Sequence, residues 1–215
     1  MSSDTVTMLI IIGFGAVACL AALMVFGLAY FFIIRPRIER TRVVNLNWES
    51  FAREKSLTFV KGGYPRISGL YQGREVKLAV INPDYDFDGP VRFTGRTAKS
   101  NFLITRASAA VKEDDLELKV YVRGLFDQAV SKQTPGIGNE AFDAKFRIHC
   151  SPPDRVKSIL KPEVQSALLE RQINSLDFHN GTLNLNAVGV ESRPEILEAF
   201  LELVCRISDG IEKRG

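Results

Sequence analysis

The sequence predicts an α+β chain: one N-terminal transmembrane helix followed by a mainly antiparallel sheet domain with packed helices. Three observations predict it. No charged residue occurs from Thr5 to Ile34, and Arg35, Arg37, Arg40 and Arg42 follow at once. Between Leu116 and Arg123 every second residue is aliphatic, from Leu116 through Leu118 and Val120 to Val122. Near the C-terminus Ile196, Phe200, Val204, Ile207 and Ile211 recur at the spacing of a helix face.

The uncharged run is about 30 residues long, whereas about 20 suffice to cross a bilayer core. The excess is taken up by tilt or by extension into the headgroups. Ala16-Val17-Ala18 has the form of a signal-peptidase site. However, Met1-Ser2-Ser3-Asp4 has no basic side chain, and the apolar run continues through Leu23, Phe26, Phe31 and Phe32, so the segment reads as an uncleaved anchor. Basic residues next to a span stay in the cytoplasm. The expected organisation is therefore an extracytoplasmic tail (1–5), a transmembrane helix (6–34), a basic juxtamembrane linker (35–45) and a cytoplasmic α+β domain (46–215) at the cell (inner) membrane. Arg35, Arg37, Arg40 and Arg42 serve as the topology signal and as candidate contacts to anionic lipid headgroups.

The three cysteines are Cys19, inside the expected span, and Cys150 and Cys205 in the domain, which is no disulfide framework. Of the net charge of +3, the four arginines with Glu39 account for +3 and Asp4 for −1, leaving +1 for the rest of the chain. A nearly neutral domain argues against a nucleic-acid partner.

Along the domain, Pro36 ends or kinks the span helix, and after it apolar residues from Ile38 through Trp48 to Ala52 repeat at helical spacing, predicting a connecting helix to about Lys55. Strands follow at Leu57–Val60, at Ile67–Tyr71 and Val76–Ile81 around a Gln72-Gly73 turn, and at Phe102–Val111, Leu116–Arg123 and Lys145–Cys150. Asn180-Gly181 between two alternating runs is a strong two-residue hairpin signal. It explains Asn180 better than the glycosylation sequon Asn180-Gly181-Thr182 does. Ser151-Pro152-Pro153-Asp154 predicts a helix start, and Pro162 opens a further helix. Ser192-Arg193-Pro194-Glu195 has the spacing of a capping box ahead of the C-terminal helix. The stretches Asn82–Ser100 and Gly124–Asp143 are long connections, the first places to expect a partner site.

No motif carries chemistry outright. Asp84-Tyr85-Asp86-Phe87-Asp88-Gly89 copies the opening of a calcium loop, but Gly95 stands where the closing Glu belongs, so it reads as an acidic loop tip. Gly136-Ile137-Gly138 resembles a phosphate loop without the helix such loops need. His149 and His179 have no companions at metal spacing and read as surface histidines. The expectation is no catalytic residue, no metal and no cofactor.

Pro65-Arg66-Ile67-Ser68-Gly69-Leu70-Tyr71-Gln72-Gly73-Arg74, Gly138-Asn139-Glu140-Ala141-Phe142-Asp143-Ala144-Lys145-Phe146 and Leu160-Lys161-Pro162-Glu163 carry a resemblance. Over about Trp48 to Leu169 the chain resembles an uncharacterised family of bacterial single-pass membrane-anchored proteins. That family has no established activity, so the resemblance gives no residue a role.

The expected function is that of a non-enzymatic, membrane-tethered cytoplasmic domain mediating protein–protein interaction, as an accessory or assembly subunit of a bacterial membrane complex. Its partners are then the membrane, through a single-pass anchor, and another membrane protein. Tyr85, Phe87 and Phe93 are the candidate contacts, since aromatics favour interfaces. The alternatives are a small-molecule or lipid-binding sensory domain, with an apolar pocket between sheet and C-terminal helix, and an enzyme without a recognised motif.

Overall fold

The computed structural model describes residues 22–28, 30, 32, 35–62, 64–82, 103–112, 115–123 and 136–213. The chain divides into two compact units, Met1–Val43 and Val44–Gly215.

The structure overturns the transmembrane helix in the expected fold class. Among the described residues, no helix is long and apolar enough to cross a membrane. Residues 22–28 are helical and exposed, and most of the predicted span lies outside the described residues. The long helix in this part of the chain is α1, Arg35–Glu54, and it starts where the charges start. Arg35, Arg37, Glu39, Arg40 and Arg42 fall in its first half, and burying such charges in hydrocarbon costs several kcal/mol. The basic stretch expected as a linker is thus helical. Pro36 lies in the first turn, where its missing N–H costs nothing.

Within the larger unit, α1 ends in a Schellman motif. Ser56 takes a positive φ of 57°, Ser56 N–H donates to the Arg53 carbonyl and Leu57 N–H to that of Ala52. The chain then enters β1, Thr58–Val60, β2, Arg66–Tyr71, β3, Arg74–Ile81, and β4, Ile104–Ala110. After β5, Glu117–Val122, come α2, Glu140–Lys145, and β6, Phe146–Ser151. A 3-10 turn, Pro153–Arg155, leads into α3, Val156–Ile159, and α4, Pro162–Glu170. The hairpin of β7, Ile173–His179, and β8, Thr182–Val188, precedes the closing helix α5, Pro194–Glu212.

Among the described residues the strands join one eight-stranded sheet in the order β1-β2-β3-β4-β8-β7-β5-β6, antiparallel throughout. The two tightest hairpins turn at Gln72-Gly73 and Asn180-Gly181, where all four residues have positive φ, between 49° and 77°. That is the requirement of a type I′ turn, and glycine at the second position meets it without a Cβ penalty.

Alternation along the strands separates two faces. One carries Val76, Leu78, Val80, Ala107, Ala109, Leu118, Val120, Leu176, Phe178, Leu183 and Leu185, all buried in a single cluster with Trp48, Phe51, Phe142, Leu168, Phe200 and Val204 from the helices. Helix α5 lies against β3, β4 and β8 and buries ten residues, among them Leu197, Leu201 and Ile207. β7 keeps its apolar residues on this face through a register shift between Ile173 and Ser175. The shift breaks the period of two, so that Ile173 joins Leu176 and Phe178 in the core.

Several sequence expectations change in detail. The capping box before α5 does not form: Ser192 and Arg193 donate their N–H groups to Glu191 Oε1, at 2.9 Å each. Glu191 is held there because Trp48 Nε1 donates to its carbonyl at 2.8 Å and its own N–H reaches Thr105 Oγ1 at 2.9 Å. Ser151 is the last residue of β6 rather than a helix cap, and no side chain caps the turn that follows. The short helix α2 was not expected from the sequence.

The β2–β3 hairpin is tied to α5 by Arg74. Its guanidinium, 14% exposed, reaches Asp209 Oδ1 at 2.7 Å and Glu212 Oε2 at 2.5 Å. The hydrogen bond from Arg74 holds the Glu212 carboxyl at about 2, helped by the Lys112 N–H and opposed by burial.

Two predictions follow from this packing. Trp48 is fully buried, so Trp48→Ala should cost about 3–5 kcal/mol, read as a lower urea midpoint by circular dichroism. Glu212 has a folded pKa below its unfolded one, so its contribution is present above about 4.5 and is lost as pH falls towards about 2. Arg74→Ala should therefore cost about 1–3 kcal/mol at pH 7 and flatten the acid side of a Tm-against-pH curve over that window.

Candidate functional site

The other face of the sheet is polar: side chains of β4, β8 and β7 form a hydrogen-bonded network, and a charged cluster on β5 and β6 lies beside it. Register places them in two rows. Ser108, Asn184, Asp177, Lys119 and His149 lie opposite one another in turn, and so do Arg106, Asn186, Ser175, Tyr121 and Arg147. Alternation alone turns these residues away from the helices: each is flanked in its strand by core residues such as Leu183, Leu185, Leu176, Phe178, Leu118 and Val120.

Asp177 is the centre. Its side chain is 2% exposed, and both oxygens are used. Asn184 Nδ2 donates to Oδ2 at 2.9 Å and Asn186 Nδ2 to Oδ1 at 3.3 Å. The two amides are held from their far sides. Ser108 Oγ donates to Asn184 Oδ1 at 2.7 Å, and Arg106 Nε donates to Asn186 Oδ1 at 2.8 Å. Asn186 Nδ2 also donates to Ser175 Oγ at 3.0 Å. Burial pushes the Asp177 carboxyl above the ordinary aspartate range, against the opposing pull of Asn184, Arg106, Asn186 and Lys119.

Beside it, Lys119 Nζ donates to Glu117 Oε1, and His149 Nε2 lies 3.7 Å from Glu117 Oε2. The Lys119 bond lowers the Glu117 pKa despite burial, and the charges of Lys119, His149 and His179 act in the same direction. The arrangement is an ordered array of amides, hydroxyls, carboxylates and cations. Its inner members Ser175, Asp177, Asn184 and Asn186 are buried, whereas Arg106, Ser108, Lys119 and His149 are half-buried.

The sequence-predicted site residues fare differently. Tyr85, Phe87 and Phe93 lie outside the described residues, as do the acidic loop at 84–89 and most of both long connections. Arg35 and Arg42 are exposed on α1, and Arg35 Nε pairs with Glu39 at 3.0 Å. The side chains of Arg37 and Arg40 lie outside the description. His149 is half-buried in the network rather than solvated, whereas His179 is exposed at its hairpin end.

The glycine loop at Gly136-Ile137-Gly138 does precede a helix, but its donors are engaged. The Asp143 carboxylate accepts the N–H groups of Ile137 and Gly138, each at 3.1 Å. Asn139 caps α2 by accepting the Phe142 N–H at 3.2 Å. The loop binds its own helix instead of a phosphate.

The Asp177 network is what sequence reading missed, although part of the signal was present. Asp177 and Asn184 stand three residues to either side of Asn180-Gly181, so a two-residue turn pairs them directly. Arg106 and Lys119 join only through the order of strands in the sheet.

No protein-family model and no curated protein matches the chain. Among solved structures, the chain is similar to the crystal structure of the mycobacterial trehalose monomycolate transport factor A, TtfA. The TM-score is 0.53 at 10% sequence identity, over 79% of this chain and 94% of that one. The two share a fold.

The carboxylate supplies a direct check on the network. Asp177→Ala leaves the Asn184 and Asn186 donors without their acceptor and should cost about 1–3 kcal/mol, measured by chemical denaturation. Asp177→Asn should behave differently with pH. The folded pKa of Asp177 is raised, so its stabilising contribution exists below the unfolded value of about 3.9 and is lost as pH rises through the folded value. The stability of Asp177→Asn relative to wild type should therefore increase with pH across that window.

Proposed function

We propose that this protein is a non-enzymatic accessory factor of a membrane-associated transport process, and that it binds another protein through the polar face of its sheet. The observation that carries the reading is the Asp177 network. Its inner members Ser175, Asp177, Asn184 and Asn186 are buried and hold in place the half-buried Arg106 and Ser108, which lose little conformational entropy when a partner engages them. Such an array suits recognition of another protein surface.

The likeness to a trehalose monomycolate transport factor supports the transport setting, since the shared fold extends over 94% of that solved chain. The exposed arginines Arg35 and Arg42 support a position at the cytoplasmic face of the cell membrane. Each basic side chain near anionic headgroups contributes about 1 kcal/mol of attraction. In this reading Arg37, Arg40 and the aromatic residues Tyr85, Phe87 and Phe93 remain candidate contacts to lipid and partner.

Site-directed photo-crosslinking tests it. A crosslinker at Lys77, exposed on the polar face of β3, should capture a defined membrane transport protein at native abundance. The same probe at Arg206, exposed on α5, should not. Equal capture from both positions, or none from Lys77, would sink the reading.

A further inference from the structure

The hydrogen-bonding partners of Asp177 are of two kinds. Asn186 is anchored by Arg106 Nε, and a guanidinium can only donate. Asn186 must therefore present its oxygen to Arg106 and its Nδ2–H to Asp177 Oδ1. Asn184 is anchored by Ser108 Oγ, and a hydroxyl can donate or accept with equal ease. The orientation of Asn184 is thus set by Asp177 alone. While the carboxylate is ionised it accepts, so Asn184 turns Nδ2 towards Oδ2 and takes a hydrogen bond from Ser108.

We propose that Ser108, Asn184 and Asp177 form a proton-reversible relay across the sheet, with Arg106 and Asn186 as its fixed arm. A proton arriving at Asp177 settles on Oδ2, the oxygen facing the reversible arm, and converts it from acceptor to donor. The Asn184 amide then turns over, its oxygen accepting from Asp177 and its Nδ2 donating to Ser108 Oγ. The Ser108 hydroxyl hydrogen, no longer held by Asn184, points away from the amide. Half-buried Ser108 so presents a lone pair outward when Asp177 is ionised and a hydrogen when it is protonated. No bond is broken apart from hydrogen bonds, and the proton comes from solvent.

The charged groups facing Asp177 set where this happens. Arg106 of β4 and Lys119 of β5 favour the ionised form. Glu117 of β5 is paired with Lys119 and lies near His149 of β6. Tyr121 of β5, Arg147 of β6 and His179 of β7 are the other titratable and charged groups placed around it by the register. Burial opposes Arg106 and Lys119 and prevails.

The experiment is a pH titration by nuclear magnetic resonance on the full chain, following the Asp177 carboxyl carbon and the side-chain amides of Asn184 and Asn186. The carboxyl should titrate above the midpoint of about 3.9 of an unperturbed aspartate. The Asn184 amide should move with the same midpoint while that of Asn186 stays in place. In Asp177→Asn, Asn184 should not respond to pH. In Arg106→Gln, whose amide can accept as well as donate, Asn186 should begin to follow the titration. A carboxyl that stays ionised until the chain unfolds would overturn the relay. So would co-titration of Asn186 in the wild type, or an Asn184 amide indifferent to the proton.

Discussion

A sheet covered by helices on one side has to serve two environments with one backbone. Helix α5 and the buried parts of the other helices supply an apolar layer, and period-two alternation directs every second strand residue into it. The remaining residues face away, and here they are polar across five adjacent strands. The register is thereby held from both sides. A slip of one residue in β7 would carry Asp177 into the place of Phe178, among Leu118, Leu183 and Leu185. It would also pull the carboxylate from the amides that satisfy it. The core and the polar network are two consequences of the same pairing.

How far this was legible in the sequence depends on the range of each interaction. The hairpins at Gln72-Gly73 and Asn180-Gly181 could be read because turn chemistry is local. Helix α5 could be read because its apolar stripe repeats over its full length. The joining of β4 to β8 and of β7 to β5 rests on contacts between residues 54 to 84 positions apart, and no short pattern encodes them. The same limit hid the site. Asp177 and Asn184 could have been paired by counting outward from the turn, whereas Arg106 required the sheet order.

Local rules also lost where a distant contact competed. Ser192 has the right spacing for a capping box, but the indole of Trp48 and the hydroxyl of Thr105 hold the backbone of Glu191. Its side chain accepts the N–H groups of Ser192 and Arg193 before α5. The expected membrane span was drawn from the length of an uncharged run. Among the described residues no helix is long and apolar enough to cross a membrane.

The polar face is not explained by stability. A buried carboxylate whose pKa is raised by burial is held against a desolvation cost that its hydrogen bonds only partly offset. An apolar residue at 177 would avoid that cost. What Asp177 adds is direction. It fixes which end of Asn184 faces Ser108, while Arg106 fixes Asn186 independently. A surface whose donors and acceptors are assigned in this way distinguishes partners by pattern rather than by area. That property fits the binding role proposed for this face.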